Sequence, residues 1–228
     1  GDFALNLFGA ISVKDHFEDA ALAVYCHDDR PFKKALLACA PQVDTLIQYP
    51  QNQSMPVDYF DSTSGNPIFN KDPRWNEKGL AVPSMVLTQS MLSVDCLSRL
   101  ARLDHLRFPE DLRDRYGEEL AVRGVDPTLG FCCIHYRENN YKLRTGHALR
   151  DTPDPERYEQ LRDYLIDELG LQVVRVGHPE QTEFRPRKGF VDLRDADEDF
   201  FLHAYAISRA RFNLMGPSGP SSVSASFG

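Results

Sequence analysis

His135 and Arg137 stand two residues apart at the end of an apolar run, Phe131-Cys132-Cys133-Ile134. The run reads as a strand built for a protein interior. Side chains alternate along a strand, so Cys133, His135 and Arg137 point to one face. Arginine offers a planar fork matched to phosphate oxygens, and histidine adds a hydrogen-bond donor. The pair suits an anionic ligand. The alternative is structural: Arg137 pairs with a surface carboxylate such as Glu138, and His135 is a satisfied core residue.

A second stretch, Gly216-Pro217-Ser218-Gly219-Pro220-Ser221-Ser222, reads as a strand-loop-helix junction. Small residues at Ser218, Gly219, Ser221 and Ser222 let the backbone come close to a ligand. Loop amides and hydroxyls at a helix N-terminus form a natural anion site. The alternative is an ordinary flexible connection. The spacing is neither GxGxxG nor GxxxxGKS, so it supports neither a dinucleotide fingerprint nor a P-loop. Gly177 and His178 mark a third strand end.

The acidic stretch 195–199 holds Asp195 and Asp197, a spacing that could hold a divalent metal. These carboxylates read instead as favouring the N-terminus of the following helix through its dipole. With no convincing ligand cluster beyond this stretch, no metal is expected. There is no G-x-S-x-G elbow, and no single cysteine stands out as a nucleophile, so hydrolase and thiol chemistry lack support.

The elements that would position these residues follow from hydrophobic pattern. The chain has 228 residues, long for one domain and suited to two small ones. Its formal net charge of −8 argues against a nucleic-acid binder. No apolar run approaches the ~20 residues that span a bilayer. Five cysteines, Cys26, Cys39, Cys96, Cys132 and Cys133, make an odd set without CxxC, which reads as reduced, buried thiols. A cytoplasmic location is expected, free or peripheral at the inner membrane face. The Asn52-Gln53-Ser54 sequon then reads as chance.

Residues 1–17 predict a loop and a helix with Leu5, Phe8, Ile11 and Phe17 as its stripe. Strands are expected at 21–26 and 44–50, with a helix at 30–40 between them. The loop 51–82 carries Trp75, and helices follow at 84–104 and 109–123. Gly124 and Pro127 mark a boundary, giving domains 1–125 and 126–228. The second domain starts with a strand at 130–136 and a polar loop at 137–153. Asp154 then caps a helix opening at Pro155 and ending before Gly170, with Tyr158, Leu161, Leu165 and Leu169 buried. Strands at 171–177, 190–193 and 211–216 alternate with helices at 198–210 and after Ser218. Such alternation predicts α/β architecture, two Rossmann-like domains with parallel sheets. Ligands of such sheets bind at strand carboxyl ends, where His135, Arg137, Gly177 and the 216–220 loop all fall.

Taken in order, "FCCIHYREN", "LRDTPDPERYEQLRDYLIDELGLQVVRVG", "EDFFLHAYAISRARFNLMGPSGPSSVSASFG" and "GDFALNLFGA" resemble a family of bacterial glycosyltransferases. The shared pattern is His135/Arg137, Arg150/Asp151, Val174/Arg175/Gly177, Asp199 to Leu202 and Ser218-Gly219-Pro220. It covers most of 130–228. Over residues 1–50 the match is looser; there, residues 1–26 are similar to the opening of heptosyltransferase-like GT-B enzymes, and 51–125 match nothing. The His-x-Arg strand end also looks like the phosphate-contacting motif of fucosyltransferases with this fold.

The resemblance implies a GT-B fold of two facing domains, with the C-terminal domain truncated after the Ser-Gly-Pro loop. It implies a nucleotide-sugar donor held by the second domain and a glycan or lipid-linked acceptor by the first. Transfer would be inverting and metal-independent, with no cofactor. His135, Arg137, Arg150, Gly177, Ser218, Gly219 and Ser221 would bind the donor phosphates. The Asp of the N-terminal Gly1-Asp2 pair would be the catalytic base; alternatively, Asp2 caps the first helix. The second functional class is a non-catalytic Rossmann-type module that binds a nucleotide or anion.

Overall fold

The computed structural model describes residues 2–27, 30–50, 106–138, 154–196 and 199–228. The 51–82 loop, the 84–104 helix, Cys96, Arg150, Asp151 and Asp197 lie outside the described residues. The chain divides into two compact units. The smaller holds Asn6–Arg30 and Gln42–Ala101; the larger holds Gly1–Leu5, Pro31–Pro41 and Arg102–Gly228. These units differ from the 1–125 and 126–228 partition, because residues 31–41 and 102–125 group with the C-terminal sheet.

Helix α1 (Asp2–Lys14) opens the chain. Its buried face is Ala4, Leu7, Phe8 and Ile11, at the i, i+3, i+4, i+7 spacing of one helical side. The expected stripe is thereby corrected. Leu5 is on the other side, and Phe17 lies past the helix end and is exposed. In the smaller unit, β1 (Ala23–His27) and β2 (Thr45–Tyr49) pair in parallel, from Ala23 opposite Thr45 to His27 opposite Tyr49. The Lys14 ammonium donates to the Gln42 carbonyl at 2.7 Å and pairs with the Asp44 carboxylate. That same carboxylate accepts the Leu22 amide at 2.6 Å, tying the helix end to both strand starts. The Lys14 hydrogen bond holds the Asp44 carboxyl below its ordinary pKa.

The larger unit carries an all-parallel four-stranded sheet. Its centre is β3 (Phe131–His135) beside β4 (Gln172–Arg175). Beyond β4 lies β5 (Phe190–Asp192), and on the other side of β3 lies β6 (Asn213–Met215). Every residue of β3 and β4 is buried, as expected of central strands covered on both faces. Helix α4 (Glu156–Asp167) packs Tyr158, Leu161 and Leu165 with Cys132, Ile134, Tyr136 and Val173.

Helix α5 (Phe200–Arg209) is flanked by α2 (Pro31–Ala38), α3 (Glu110–Val122) and α6 (Gly219–Phe227). Aromatic rings lock this layer. Phe32 meets Phe200 at 5.8 Å, Tyr116 stacks on Phe201 at 6.0 Å, and Phe108 meets Tyr205 edge-on at 5.0 Å. The four cysteines among the described residues form no disulfide and are buried, and burial pushes the Cys39 thiol up to about 12.

Two expectations for α4 are corrected. Asp154 does not cap it: Pro155 occupies the cap position, no side-chain cap bond forms, and the Asp154 carboxylate pairs with Arg157. Leu169 is half exposed. The helix stops at Asp167, and Gly170 turns the chain with φ +62°. Leu171 is thereby delivered into the core in place of Leu169, its amide bonded to the Leu165 carbonyl at 3.1 Å.

Candidate functional site

The strand order β5-β4-β3-β6 creates a topological switch between β3 and β6. From β3 the chain moves outward through β4 to β5, then returns to the opposite side of β3 as β6. The crevice outside the carboxyl ends at such a switch is where α/β sheets bind ligands. The two ends are in register here. The Gly216 amide donates to the His135 carbonyl at 2.8 Å, and a Cβ on Gly216 would lie 3.9 Å from the Arg137 nitrogen. His135, Arg137, Ser218, Gly219 and Ser221 therefore share one edge of one sheet, and Gly177 follows the neighbouring β4.

His135 is only 8% exposed. Its Nδ1 lies 2.9 Å from the Val176 carbonyl oxygen, which can only accept, so Nδ1 carries the proton. In the neutral ring Nε2 is then an acceptor. Burial, reinforced by Arg175 and His203, pushes the His135 pKa down to about 4. A donor role toward phosphate would need the imidazolium, which this setting disfavours.

Arg137 is half-buried at the edge. Its neighbour Glu138 is not the surface carboxylate that the sequence suggested, being 3% exposed. Both Glu138 oxygens accept the Thr182 amide at 3.0 Å, and Oε2 accepts the Thr182 hydroxyl at 2.6 Å. Oε1 also faces Arg175 Nη2 at 3.4 Å.

Gly177 has a packing reason to be glycine. A Cβ there would fall 2.0 Å from Oε1 of the buried Gln181, whose side chain folds over this backbone. Gln181 Oε1 accepts the His178 amide at 2.9 Å, and its Nε2 donates to the Tyr136 carbonyl.

At the start of α6, Ser218 and Ser221 bond to each other's segment. The Ser218 amide donates to Ser221 Oγ at 3.3 Å, and Ser221 Oγ donates to the Ser218 carbonyl at 2.6 Å. The Ser218 hydroxyl donates to the Gly216 carbonyl at 3.2 Å. Gly219 and Pro220 form the first turn of α6. Beside this junction a pocket of about 360 Å³ opens, lined by Arg157, Tyr158, Leu161, Leu214, Met215 and Gly216. No sequence motif announced this pocket, because its apolar lining reads as ordinary core stripe.

The acidic stretch divides its work. Asp195 pairs with Arg123 at 3.0 Å, whereas Asp199 caps α5 by accepting the Phe201 amide at 3.2 Å. The Tyr116 hydroxyl also donates to Asp199, and burial, with this carboxylate beside it, raises the Tyr116 pKa. Among the described residues, no three histidine, cysteine, aspartate or glutamate side chains gather as a metal site. Asp2 is the first residue of α1. No described helix is long and apolar enough to cross a membrane.

The chain is similar throughout its length to the crystal structure of a glycosyl transferase family 9 protein from Veillonella parvula DSM 2008. The TM-score is 0.58 and the identity 16%, with 100% of this chain and 76% of that chain covered. No family model and no curated protein matches the sequence.

Proposed function

We propose that this chain belongs to a GT-B glycosyltransferase, with two facing Rossmann-like domains. It moves a sugar from a nucleotide-activated donor to a glycan or lipid-linked acceptor. The observation that carries this reading is the whole-chain fold likeness to a glycosyl transferase family 9 structure. Its donor edge is the β3–β6 switch, where Arg137 stands beside the α6 junction.

In this mechanism the acceptor hydroxyl attacks the anomeric carbon and the bond to the diphosphate breaks. Asp2 takes the hydroxyl proton. Arg137, with Arg150 and the α6 amides, stabilises negative charge as it builds on the leaving diphosphate. His135, neutral and bonded to the Val176 carbonyl, holds the end of β3 rather than neutralising phosphate. Displacement in one step inverts the anomeric centre, and these groups supply the charge and the base without a metal.

The test is the full-length protein incubated with a panel of nucleotide sugars and candidate acceptors. Nucleoside diphosphate release is scored with and without EDTA. Release that survives chelator supports the reading; release abolished by EDTA and restored by magnesium or manganese overturns its metal-independent part. The second reading, a non-catalytic nucleotide or anion module, is favoured by how fully His135, Ser218 and Ser221 are engaged in structural bonds. It predicts nucleotide binding with no release.

A further inference from the structure

Arg175 is fully buried, at 0% exposure. Its guanidinium carbon lies 4.8 Å from the Tyr136 ring centroid and 4.1 Å from that of Phe184. It donates to the Thr182 carbonyl at 2.6 Å and the Tyr136 hydroxyl at 2.7 Å, and faces Glu138 at 3.4 Å and Asp192 at 3.5 Å. Burying such a pair costs several kcal/mol per ion, and apolar residues of similar volume often stabilise as well or better. Stability alone therefore gives little reason for charges here.

The network has a specific target. Tyr136 is held twice, by Arg175 at its hydroxyl and by Gln181 at its carbonyl. Glu138 is held by both the amide and the hydroxyl of Thr182. The residue between these two fixed points is Arg137, at the switch edge. We infer that Arg175, Gln181, Thr182 and Glu138 form a positioning clamp that sets Arg137 for an anionic group at the β3–β6 edge. The inference rests on the phosphate-binding reading of Arg137. The clamp residues act through Arg137 and need not touch the ligand.

The test is calorimetry on the full-length protein with UDP, GDP, ADP and CDP in turn. The proteins compared are wild type, Arg137→Ala, Glu138→Gln, Thr182→Val, and each of the last two combined with Arg137→Ala. Thr182 is exposed, so Thr182→Val removes one clamp hydrogen bond in a chain that still folds, even if Glu138→Gln does not. A misaligned Arg137 loses part of its charge-assisted hydrogen bonding, worth about ten- to hundredfold in affinity, so Glu138→Gln is expected to weaken the tightest nucleoside diphosphate by about tenfold. Thr182→Val should weaken it several-fold. In the Arg137→Ala background neither should weaken it further. Equal losses in both backgrounds, or unchanged affinity in the folded single variants, overturn the clamp. Failure of the underlying reading looks different: wild type binds none of the four, or Arg137→Ala binds as wild type does, and the clamp then has no ligand to serve.

Discussion

The Glu138 carboxylate and the Arg175 guanidinium meet at 3.4 Å with both side chains buried, 37 residues apart in sequence. Removing one partner of a buried pair leaves the other uncompensated. Arg175→Met is therefore expected to destabilise the protein by about 3–5 kcal/mol. Adding Glu138→Gln should restore part of that loss, since the stranded charge is gone. Urea unfolding of the single and double variants checks this. A double variant no more stable than Arg175→Met would mean that Glu138 carries no charge penalty there.

Arg137 bears the donor-site prediction. Arg137→Ala should weaken nucleoside diphosphate binding by about 1.5–3 kcal/mol, the range for a hydrogen bond to a charged group. Its melting temperature should stay close to wild type, because the side chain is half-buried at the edge and outside the hydrophobic core cluster. Calorimetry showing unchanged affinity would remove Arg137 from the site.

The β3–β6 edge was legible because its strands announce themselves locally. The run Phe131–Ile134 is apolar throughout, and Pro155 and Gly170 punctuate the helix between β3 and β4. Parallel order followed from the alternation, and it put His135, Arg137 and Ser218 at one edge. What stayed hidden depends on partners distant in sequence. Glu138 beside Arg137 looked like a surface acid because nothing local shows that Thr182 and Arg175 fold over it. The state of His135 is set by the Val176 carbonyl, 41 residues on. The grouping of residues 31–41 with the C-terminal sheet was equally hidden, since Phe32 reads as plain helix stripe until Phe200 packs on it.

Asp2 separates two roles in one substitution. Removing a general base typically costs ~10²–10⁴-fold in rate and leaves the fold intact. The structure makes Asp2 the first residue of α1 rather than its cap, and a first-turn carboxylate there favours the helix dipole by only ~0.3–1 kcal/mol. Asparagine keeps the size of the side chain but cannot take a proton. Asp2→Asn in the full-length protein should therefore cut turnover steeply, with melting temperature and donor affinity unchanged. Near-normal turnover would move the search for the base to Asp15, His16 or an acid of the 51–82 loop.

His135 makes folding stability depend on pH, and the sign follows from its direction of shift. In the unfolded chain a histidine titrates near ~6.5. In the fold, burial holds His135 at about 4, so the neutral ring is the native form. Above pH ~6.5 both states are neutral and nothing is lost. As pH falls toward 4, the unfolded state takes up a proton that the folded state refuses, and stability declines. The full loss is on the order of 3 kcal/mol, reached once pH passes below the folded value. His135→Asn keeps an N–H for the Val176 carbonyl but cannot titrate. Its unfolding free energy should be flatter than wild type between pH 6.5 and 4, with the two curves parallel above that window. Parallel curves throughout would mean that His135 titrates freely in the fold and that its ring is open to donate as an imidazolium.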